Sequence, residues 1–386
     1  MGESFLMVAK TMSGLEEILA NELSDIGATE IEIANRAVSF RGDISIMYKA
    51  NYWSRTALHI LKPIANFYIR REEDLYKKIY DIKWEEYLNT SGTLAVDAVV
   101  NASVMNHSHY AALKTKDAIV DRFRDLTERR PSIDTENPDV RVNIHLFKNL
   151  CNVSIDSSGY SLHKRGYRIK TGAAPISEVL AAGIILLSGW DKQSNFIDPM
   201  CGSGTIVCEA ALIANNIPPG YYRKSFGFEK WKDFDSELWG KVKTEALSQQ
   251  YEFENEIIGS DISRESIEIA MENAKSAKLH KDIVFQVCSF EEQIPPEGGG
   301  IMVMNPPYGE RIVPEDIIKL YQEIGDGLKK NYKGYNAWII SSDMNALKFI
   351  GLRPTRKIAL FNGPLECRLA KFEIYEGSKK THKNED

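Results

Sequence analysis

The sequence lacks long apolar runs, and this absence restricts what the protein can be. Its longest apolar stretch, residues 179–189, is shorter than the roughly 20 residues of a membrane-spanning helix. The N-terminal MGESFLMVAK has neither the charge nor the cleavage pattern of a signal peptide. We therefore expect a cytoplasmic protein that has no membrane partner.

Cysteine is also scarce, with five among 386 residues and no pair at CxxC spacing. An odd and widely spread set indicates neither a disulfide framework nor a zinc site. We expect no metal, and we expect buried free thiols at Cys151, Cys201, Cys208, Cys288 and Cys367.

An excess of positive charge is missing as well: 48 Lys and Arg stand against 54 Asp and Glu, so the formal net charge is −6. A protein with this balance does not coat nucleic acid indiscriminately, and any contact with nucleic acid must come from a local patch. The hydrophobic share of 43% is ordinary for a globular protein, and 386 residues exceed what one core usually organises. We expect two or three domains.

Mixed helix and strand patterns fill the first part of the chain. Residues 5–42 predict a strand, a helix capped by Ser13 and ended by Gly27, and two further strands. The pattern continues from residue 48 to about residue 153, beginning with a predicted helix through MYKANYWSRTALHIL and ending with the strands VRVNIHLF and LCNVSID. This order is typical of a compact α+β module.

The second part of the chain alternates strands and helices in a different rhythm. The predicted strands NFIDP, EIIGSD, IVFQVC and GIMVMNPP are separated by helical patterns, as in a doubly wound parallel sheet. This predicts an α/β domain of the Rossmann type, with about two hundred residues.

The segment SLHKRGYRIK, residues 161–170, joins the two parts and contains no acid. Its cations either contact phosphate groups or form a solvated connection. They are His163, Lys164, Arg165, Arg168 and Lys170.

The segment FIDPMCGSGTIVCEAA joins a predicted strand to a predicted helix. Asp198 ends the strand, Gly202 and Gly204 lie in the turn, and Thr205 opens the helix. Glycine lets the backbone approach a ligand, and the helix N-terminus favours an anion such as the carboxylate of a methionine group. A tight strand-to-helix turn also requires glycine for steric reasons, so the loop alone has two explanations. It is neither a Walker A sequence nor a full GxGxxG.

The strand IIGSD ends at Asp261, where a Rossmann-type fold expects an acid that accepts hydrogen bonds from ribose hydroxyls. The interval from Asp198 exceeds the roughly 20 residues of a dinucleotide fingerprint, so an insertion over about residues 215–255 is required. Aromatic rings and cations of the insertion either stack on unpaired bases or pack the insertion onto the domain. They are Tyr221, Tyr222, Arg223, Lys224, Phe226, Phe228, Lys230, Trp231 and Trp239.

The segment IMVMNPPYGER, residues 301–311, lies at the end of an apolar strand, so Asn305 to Tyr308 should face the same crevice as the glycine loop. An exocyclic amine on a base is a weak nucleophile, because its lone pair is delocalised into the ring. The side-chain oxygen of Asn305 and the carbonyl of Pro306 would accept its two hydrogens. Pro307 adds rigidity to the turn, and Tyr308 offers a flat face for a splayed-out base.

At these motifs the chain resembles the THUMP-domain methyltransferases, and most closely the guanine-N2 methyltransferases of 23S ribosomal RNA. The resemblance runs through GYSLHKRGYR, APISEVLAAGIILLSGW, DPMCGSGT, GSDIS and NPPYGER to NGPLEC at residues 362–367. It implies a ferredoxin-like part over residues 1–47 and a THUMP RNA-binding domain over residues 48–157. A Rossmann-fold methyltransferase domain with a C-terminal antiparallel strand would occupy residues 158–386.

The resemblance also implies the cofactor and its site. S-adenosylmethionine would carry the activated methyl group, Asp261 would hold the ribose, and residues 305–308 would hold the target base. Such enzymes usually have an acid after the third strand of this domain, and here Ser289 or a backbone carbonyl takes its place. The expected cofactor residues are Asp198, Pro199, Met200, Cys201, Gly202, Ser203, Gly204, Thr205, Asp261, Ile262 and Ser289.

The sequence is consistent with three functions. The first is guanine-N2 methylation of 23S ribosomal RNA or a precursor particle, and the second is adenine-N6 methylation of DNA or RNA. The third is an RNA-binding protein whose catalytic domain is inert, against which the intact glycine loop and NPPY motif weigh. A THUMP-like module favours RNA over DNA. Proteins with these motifs have also been labelled N6-adenine-specific DNA methylases, so the motif does not separate the two bases.

Overall fold

The computed structural model describes residues 2–172, 175–307 and 314–375. The chain divides into two compact units. Unit 1 consists of Met1–Thr11, Leu19–Lys164 and Arg223–Ser248, and unit 2 of Met12–Ile18, Arg165–Tyr222 and Gln249–Asp386.

The helices and strands of the first described range follow in chain order. They are β1 (Phe5–Thr11), α1 (Glu16–Asp25), β2 (Thr29–Ala34), β3 (Ala37–Gly42), α2 (Ile44–Trp53), β4 (Ala57–Tyr68), α3 (Glu72–Tyr80), β5 (Thr93–Asn101), α4 (Ser108–Thr127), β6 (Ser132–Ile133), β7 (Val140–Phe147) and β8 (Leu150–Asp156).

The remaining described ranges continue the series. They contain α5 (Glu178–Leu187), β9 (Asn195–Asp198), α6 (Thr205–Ala214), α7 (Ser236–Ser248), β10 (Ile257–Asp261), α8 (Arg264–Ser276), β11 (Val284–Val287), β12 (Gly300–Met304), α9 (Pro314–Asn331), β13 (Tyr335–Ser341), β14 (Arg356–Asn362) and β15 (Leu365–Glu373). Among the helices in the described ranges, none has the length and apolarity required to span a lipid bilayer.

Unit 1 is built on a mixed sheet whose described strands have the order β2-β3-β1-β4-β8-β7-β5-β6. The long strand β4 joins the two halves of this sheet, because it pairs antiparallel with β1 on one side and with β8 on the other. Strand alternation directs one face of β7 into the core, with Val140, Val142, Ile144 and Leu146 all buried. This is the α+β organisation that the sequence predicts.

Helix α2 is shorter than the sequence predicts. The Asp43 carboxylate accepts hydrogen bonds from the first N–H groups of α2 and caps it, and the helix ends at Trp53. Ser54 has an extended conformation, and β4 begins at Ala57. The prediction of a helix through RTALHIL is therefore wrong, because Ala57 and residues 59–61 pair with β1, and Leu61 also begins the pairing with β8.

The insertion contributes its middle part to unit 1. Phe228 stacks on Tyr48 with ring centroids 4.4 Å apart, and Trp239 meets Tyr48 edge-on at 5.8 Å. Phe226 and Trp231 are also buried. The hypothesis of a base-stacking surface is therefore wrong for these four rings, because they fill the core of unit 1.

The Arg223 guanidinium of the insertion is buried and binds backbone carbonyls of its own unit. It donates hydrogen bonds to Ser158 at 3.1 Å, Tyr160 at 2.8 Å, and Ser161 and Lys164 at 3.0 Å each. It also lies 3.8 Å from the centre of the Tyr160 ring. A guanidinium that is bound in this way holds the insertion in place and does not face phosphate groups.

Unit 2 is an α/β domain whose described strands have the order β11-β10-β9-β12-β13-β15-β14. The pairs from β11 to β13 are parallel, whereas β15 runs antiparallel to both β13 and β14. This confirms the predicted Rossmann-type fold with a C-terminal antiparallel strand. The strand order reverses between β9 and β12, and a ligand of such a sheet binds where this reversal occurs.

Candidate active site

A cavity of about 560 Å³ lies in unit 2, where β9, β10 and β12 end. Of the predicted site residues that the structure describes, all except Gly204 line this cavity. They come from three segments, residues 198–205, 261–262 and 305–307, and from Ser289. Tyr308 lies outside the described residues. The assignment of a role to each of these residues stays a prediction.

The two glycines of the loop serve different purposes. Both have positive φ, +51° at Gly202 and +79° at Gly204. A Cβ added at Gly204 would lie 2.9 Å from Cβ of Ala270 in α8, so this glycine permits the close packing of the loop on α8. A Cβ at Gly202 would meet no described atom within 4 Å. Gly204 thus fits the steric explanation, and Gly202 leaves open space beside the cavity.

The glycine loop is tied to the end of β10 through Asp261. The Gly202 N–H donates to Oδ2 of Asp261 at 3.0 Å, and the Ser263 N–H donates to Oδ1 at 2.9 Å. Each carboxylate oxygen has a further lone pair, so Asp261 can also accept hydrogen bonds from a diol. The side chain therefore shapes the loop and offers acceptors to a ligand.

Asp198, at the end of β9, is almost completely buried. Its Oδ1 accepts a hydrogen bond of 3.2 Å from the Met200 N–H, whereas Oδ2 has no hydrogen-bond partner in the part of the chain that the structure describes. Burial raises the pKa of the Asp198 carboxyl well above its usual range, and the nearby charge of Asp261 raises it further. A ligand ammonium at Oδ2 would restore the ionised form.

Asn305 follows β12 directly. Its Oδ1 is buried and accepts no hydrogen bond from any residue in the described ranges. A buried acceptor without a donor costs free energy, and that cost disappears when a ligand supplies an N–H group. The predicted acceptor for an exocyclic amine is thus present beside the cavity.

The wall that follows β11 contains residues that the sequence analysis missed. Phe290 lines the cavity and stacks on Tyr332 at 5.1 Å, and Glu291 places an acid beside it. The Ser289 hydroxyl donates to the Glu292 carboxylate at 2.9 Å. Glu291 lies two positions beyond Ser289, so a wider search after the third strand would have found this acid. Helix α9 adds Leu320, Glu323 and Ile324, which no motif in the sequence indicates.

These groups fit S-adenosylmethionine. A buried carboxylate oxygen is available to an ammonium, the loop has open space at Gly202, and an acid ends β10. Ile262, which is 77% exposed, and Phe290 offer apolar surface to a purine ring. In the described ranges no group of three or more His, Cys, Asp or Glu side chains is arranged to hold a metal ion.

Comparisons with known proteins identify the family. The UPF0020 family, the RMKL-like methyltransferase domain, matches residues 165–371. The chain belongs to the RMKL-like methyltransferase family. The RlmL ferredoxin-like domain matches residues 7–61 of this RMKL-like enzyme, and the THUMP domain matches residues 70–156. The predicted three-part layout is thereby confirmed, and the predicted boundaries within it stay predictions.

Two relatives of the RMKL-like chain differ in length. The protein slr0064 of Synechocystis, named as a candidate RNA methyltransferase, is 39% identical over 95% of this chain and 96% of its own length. The ribosomal RNA large subunit methyltransferase K/L of Syntrophotalea carbinolica is 41% identical over 95% of this chain and 53% of its own length. The chain thus spans about half the length of this K/L relative.

A solved structure resembles the RMKL-like chain over almost its whole length. It is that of SMU.472, a candidate methyltransferase in complex with SAH, with a TM-score of 0.88 and 32% identity. The match covers 98% of this chain and 100% of SMU.472. This RMKL-like protein is an S-adenosylmethionine-dependent methyltransferase.

Proposed function

We propose that this enzyme methylates N2 of a guanine in large-subunit ribosomal RNA. The observation that carries the proposal is the buried Oδ1 of Asn305, which has no hydrogen-bond partner among the described residues and lies in the same cavity as the glycine loop. An acceptor in this position suits an exocyclic amino group, and guanine N2 is such a group.

The residues after β12 hold the base in this proposal. Asn305 Oδ1 and the Pro306 carbonyl each accept one hydrogen of the amino group, which orients the nitrogen lone pair and stabilises positive charge as it develops. Tyr308, which lies outside the described residues, is proposed from its position in the NPPY sequence to stack on the base. No strong base is required, because the proton that the nitrogen finally loses is acidic enough to pass to water.

The residues at the ends of β9 and β10 hold the cofactor in this proposal. Asp198 Oδ2 accepts from the ammonium of the methionine part, and the Asp261 carboxylate accepts from the ribose hydroxyls while it holds the Gly202 N–H. Ile262 and Phe290 bound the adenine. When bound, S-adenosylmethionine supplies the electrophilic methyl group.

Three observations support RNA as the substrate. The THUMP domain matches residues 70–156. The Synechocystis relative, which this chain covers at 96% of its length, is named as a candidate RNA methyltransferase. The K/L relative is named as a methyltransferase of the large ribosomal subunit. Adenine N6 is the second candidate, because Asn305 and Pro306 would accept its two hydrogens equally well.

The test is methyl transfer to nucleic acid from a strain that lacks this gene. Purified enzyme and labelled S-adenosylmethionine are incubated separately with ribosomal RNA and with DNA, and the products are digested to nucleosides for mass spectrometry. We expect N2-methylguanosine in the large-subunit RNA. N6-methyladenine in either polymer would favour the second candidate. Binding of S-adenosylhomocysteine without transfer to either polymer would favour an RNA-binding role.

A further inference from the structure

The basic segment that joins the two parts of the chain is bound within unit 2 from Arg165 onward. The Arg165 side chain is 1% exposed and forms an ion pair of 3.4 Å with Glu209 of α6. The Tyr167 hydroxyl donates to the same carboxylate at 2.9 Å. A guanidinium at this depth does not contact phosphate, so the phosphate hypothesis is wrong for Arg165. We call residues 165–170 the strap.

Arg168 connects the strap to two parts of the cavity wall. Its Nη2 donates to the Thr205 hydroxyl and to the Ile176 carbonyl, at 2.9 Å each. Its Nε forms an ion pair of 3.0 Å with the Glu178 carboxylate. Thr205 opens α6, Ile176 lies just before α5, and both residues line the cavity. One planar side chain thus fixes both of them.

Asn273 of α8 connects the strap to the glycine loop itself. Its Oδ1 accepts from the N–H groups of Ile169 and Lys170, at 3.0 and 3.1 Å. Its Nδ2 donates to the carbonyls of Lys170 and Ser203, at 3.0 Å each. The side chain is buried and uses both acceptor and both donor positions of its amide. Ser203 lies between the two glycines of the loop.

We infer that Arg168 and Asn273 are positioning residues for S-adenosylmethionine. Neither side chain lines the cavity, yet together they hold the strap, the glycine loop, the start of α6 and Ile176 in one arrangement. A loop that already has its binding conformation binds the ligand more tightly, because no conformational entropy is lost when the ligand binds. The inference concerns the cofactor and is independent of which base is methylated.

The experiment measures binding of S-adenosylhomocysteine to the full chain by calorimetry. Asn273→Asp keeps the acceptors for the strap N–H groups and removes the donors to Lys170 and Ser203. We expect its Kd to rise about tenfold, because the hydrogen bond to the loop carbonyl of Ser203 is lost and one such buried bond contributes about 1 kcal/mol. Arg168→Lys keeps a cation beside Glu178 and removes the guanidinium donors to Thr205 and Ile176. We expect its Kd to rise by a similar factor. Lys170→Met, which breaks an exposed ion pair with Glu272 in the same strap, should bind like the wild type.

A second measurement distinguishes a positioning role from a general loss of folded structure. Binding is measured well below the melting temperature of each variant, and circular dichroism checks that each is folded. With an active substrate, positioning predicts a raised KM for S-adenosylmethionine and a kcat that recovers at saturating cofactor. Wild-type Kd values for folded Asn273→Asp and Arg168→Lys would overturn the inference, as would a lowered kcat with unchanged KM. Since calorimetry needs no nucleic acid, a failure of the guanine proposal would leave this test intact.

Discussion

The backbone N–H of Gly202 donates a hydrogen bond of 3.0 Å to the Asp261 carboxylate, so the glycine loop and the end of β10 form one structure. The carboxylate that is proposed to hold the ribose therefore also sets the conformation of the loop. Removal of this one side chain should affect both parts of the cofactor site.

Asp261→Ala should weaken the binding of S-adenosylhomocysteine by roughly tenfold to a hundredfold, because hydrogen bonds to a charged acceptor contribute about 1.5–3 kcal/mol. Titration calorimetry measures the change. Glu268→Gln, at an exposed acid of α8, is the matched control and should leave the Kd unchanged. An Asp261→Ala variant with wild-type affinity would contradict the role of this carboxylate.

Asn305→Ala should abolish methyl transfer while S-adenosylhomocysteine still binds. The alanine removes the acceptor for the amino group but leaves the glycine loop and both acidic strand ends unchanged. Single-turnover transfer and calorimetry on the same sample separate the two effects. Asn305→Asp retains an acceptor oxygen and should keep part of the activity. If Asn305→Ala instead lost cofactor binding, its proposed role would be incorrect.

Cofactor affinity should rise with pH through Asp198. Burial raises the pKa of this carboxyl, so the unliganded folded protein retains a proton that the unfolded chain loses near pH 4. The stability that this proton provides is therefore present below about pH 4 and declines as pH rises toward the raised pKa. A ligand ammonium favours the ionised carboxylate, so cofactor binding releases this proton. The affinity for the cofactor therefore rises with pH from about pH 4 toward the raised pKa. Calorimetry at a series of pH values should show this trend in the wild type and not in Asp198→Asn.

Phe228→Ala should destabilise unit 1 by about 3–5 kcal/mol, because it removes a buried ring from the cluster around Tyr48. Thermal and denaturant unfolding measure the loss. Leu247→Ala, at an exposed position of α7, is the control and should change stability by less than about 0.5 kcal/mol. If the Phe228 ring served base stacking, its removal would weaken RNA binding and leave stability unchanged.

The sequence was informative where the fold fixes the position of a residue. Asp198, Asp261 and Asn305 each stand at the end of a buried strand, and parallel pairing brings these ends together regardless of what lies between them. Strand periodicity and a few motif residues were therefore enough to predict a common cavity. The family resemblance then added the identity of the cofactor.

The sequence was uninformative where the role of a residue depends on a partner that is distant along the chain. Nothing local distinguishes a ring that stacks on a base from Phe228, which packs on Tyr48 far away in the chain. Arg165 likewise looks like a surface cation until Glu209 of α6 is known to face it. The stretch RTALHIL has apolar residues at helical spacing, and its pairing with β1 and β8 decides that it is a strand.

The placement of Arg223–Ser248 in unit 1 has a consequence for biosynthesis. The ribosome synthesises β9 and the glycine loop before it makes Phe228, which the Tyr48 core requires. A nascent chain that has reached only Lys164 therefore keeps that core open. The N-terminal unit therefore cannot finish folding before synthesis of the second unit begins. The two units are completed in an interleaved order.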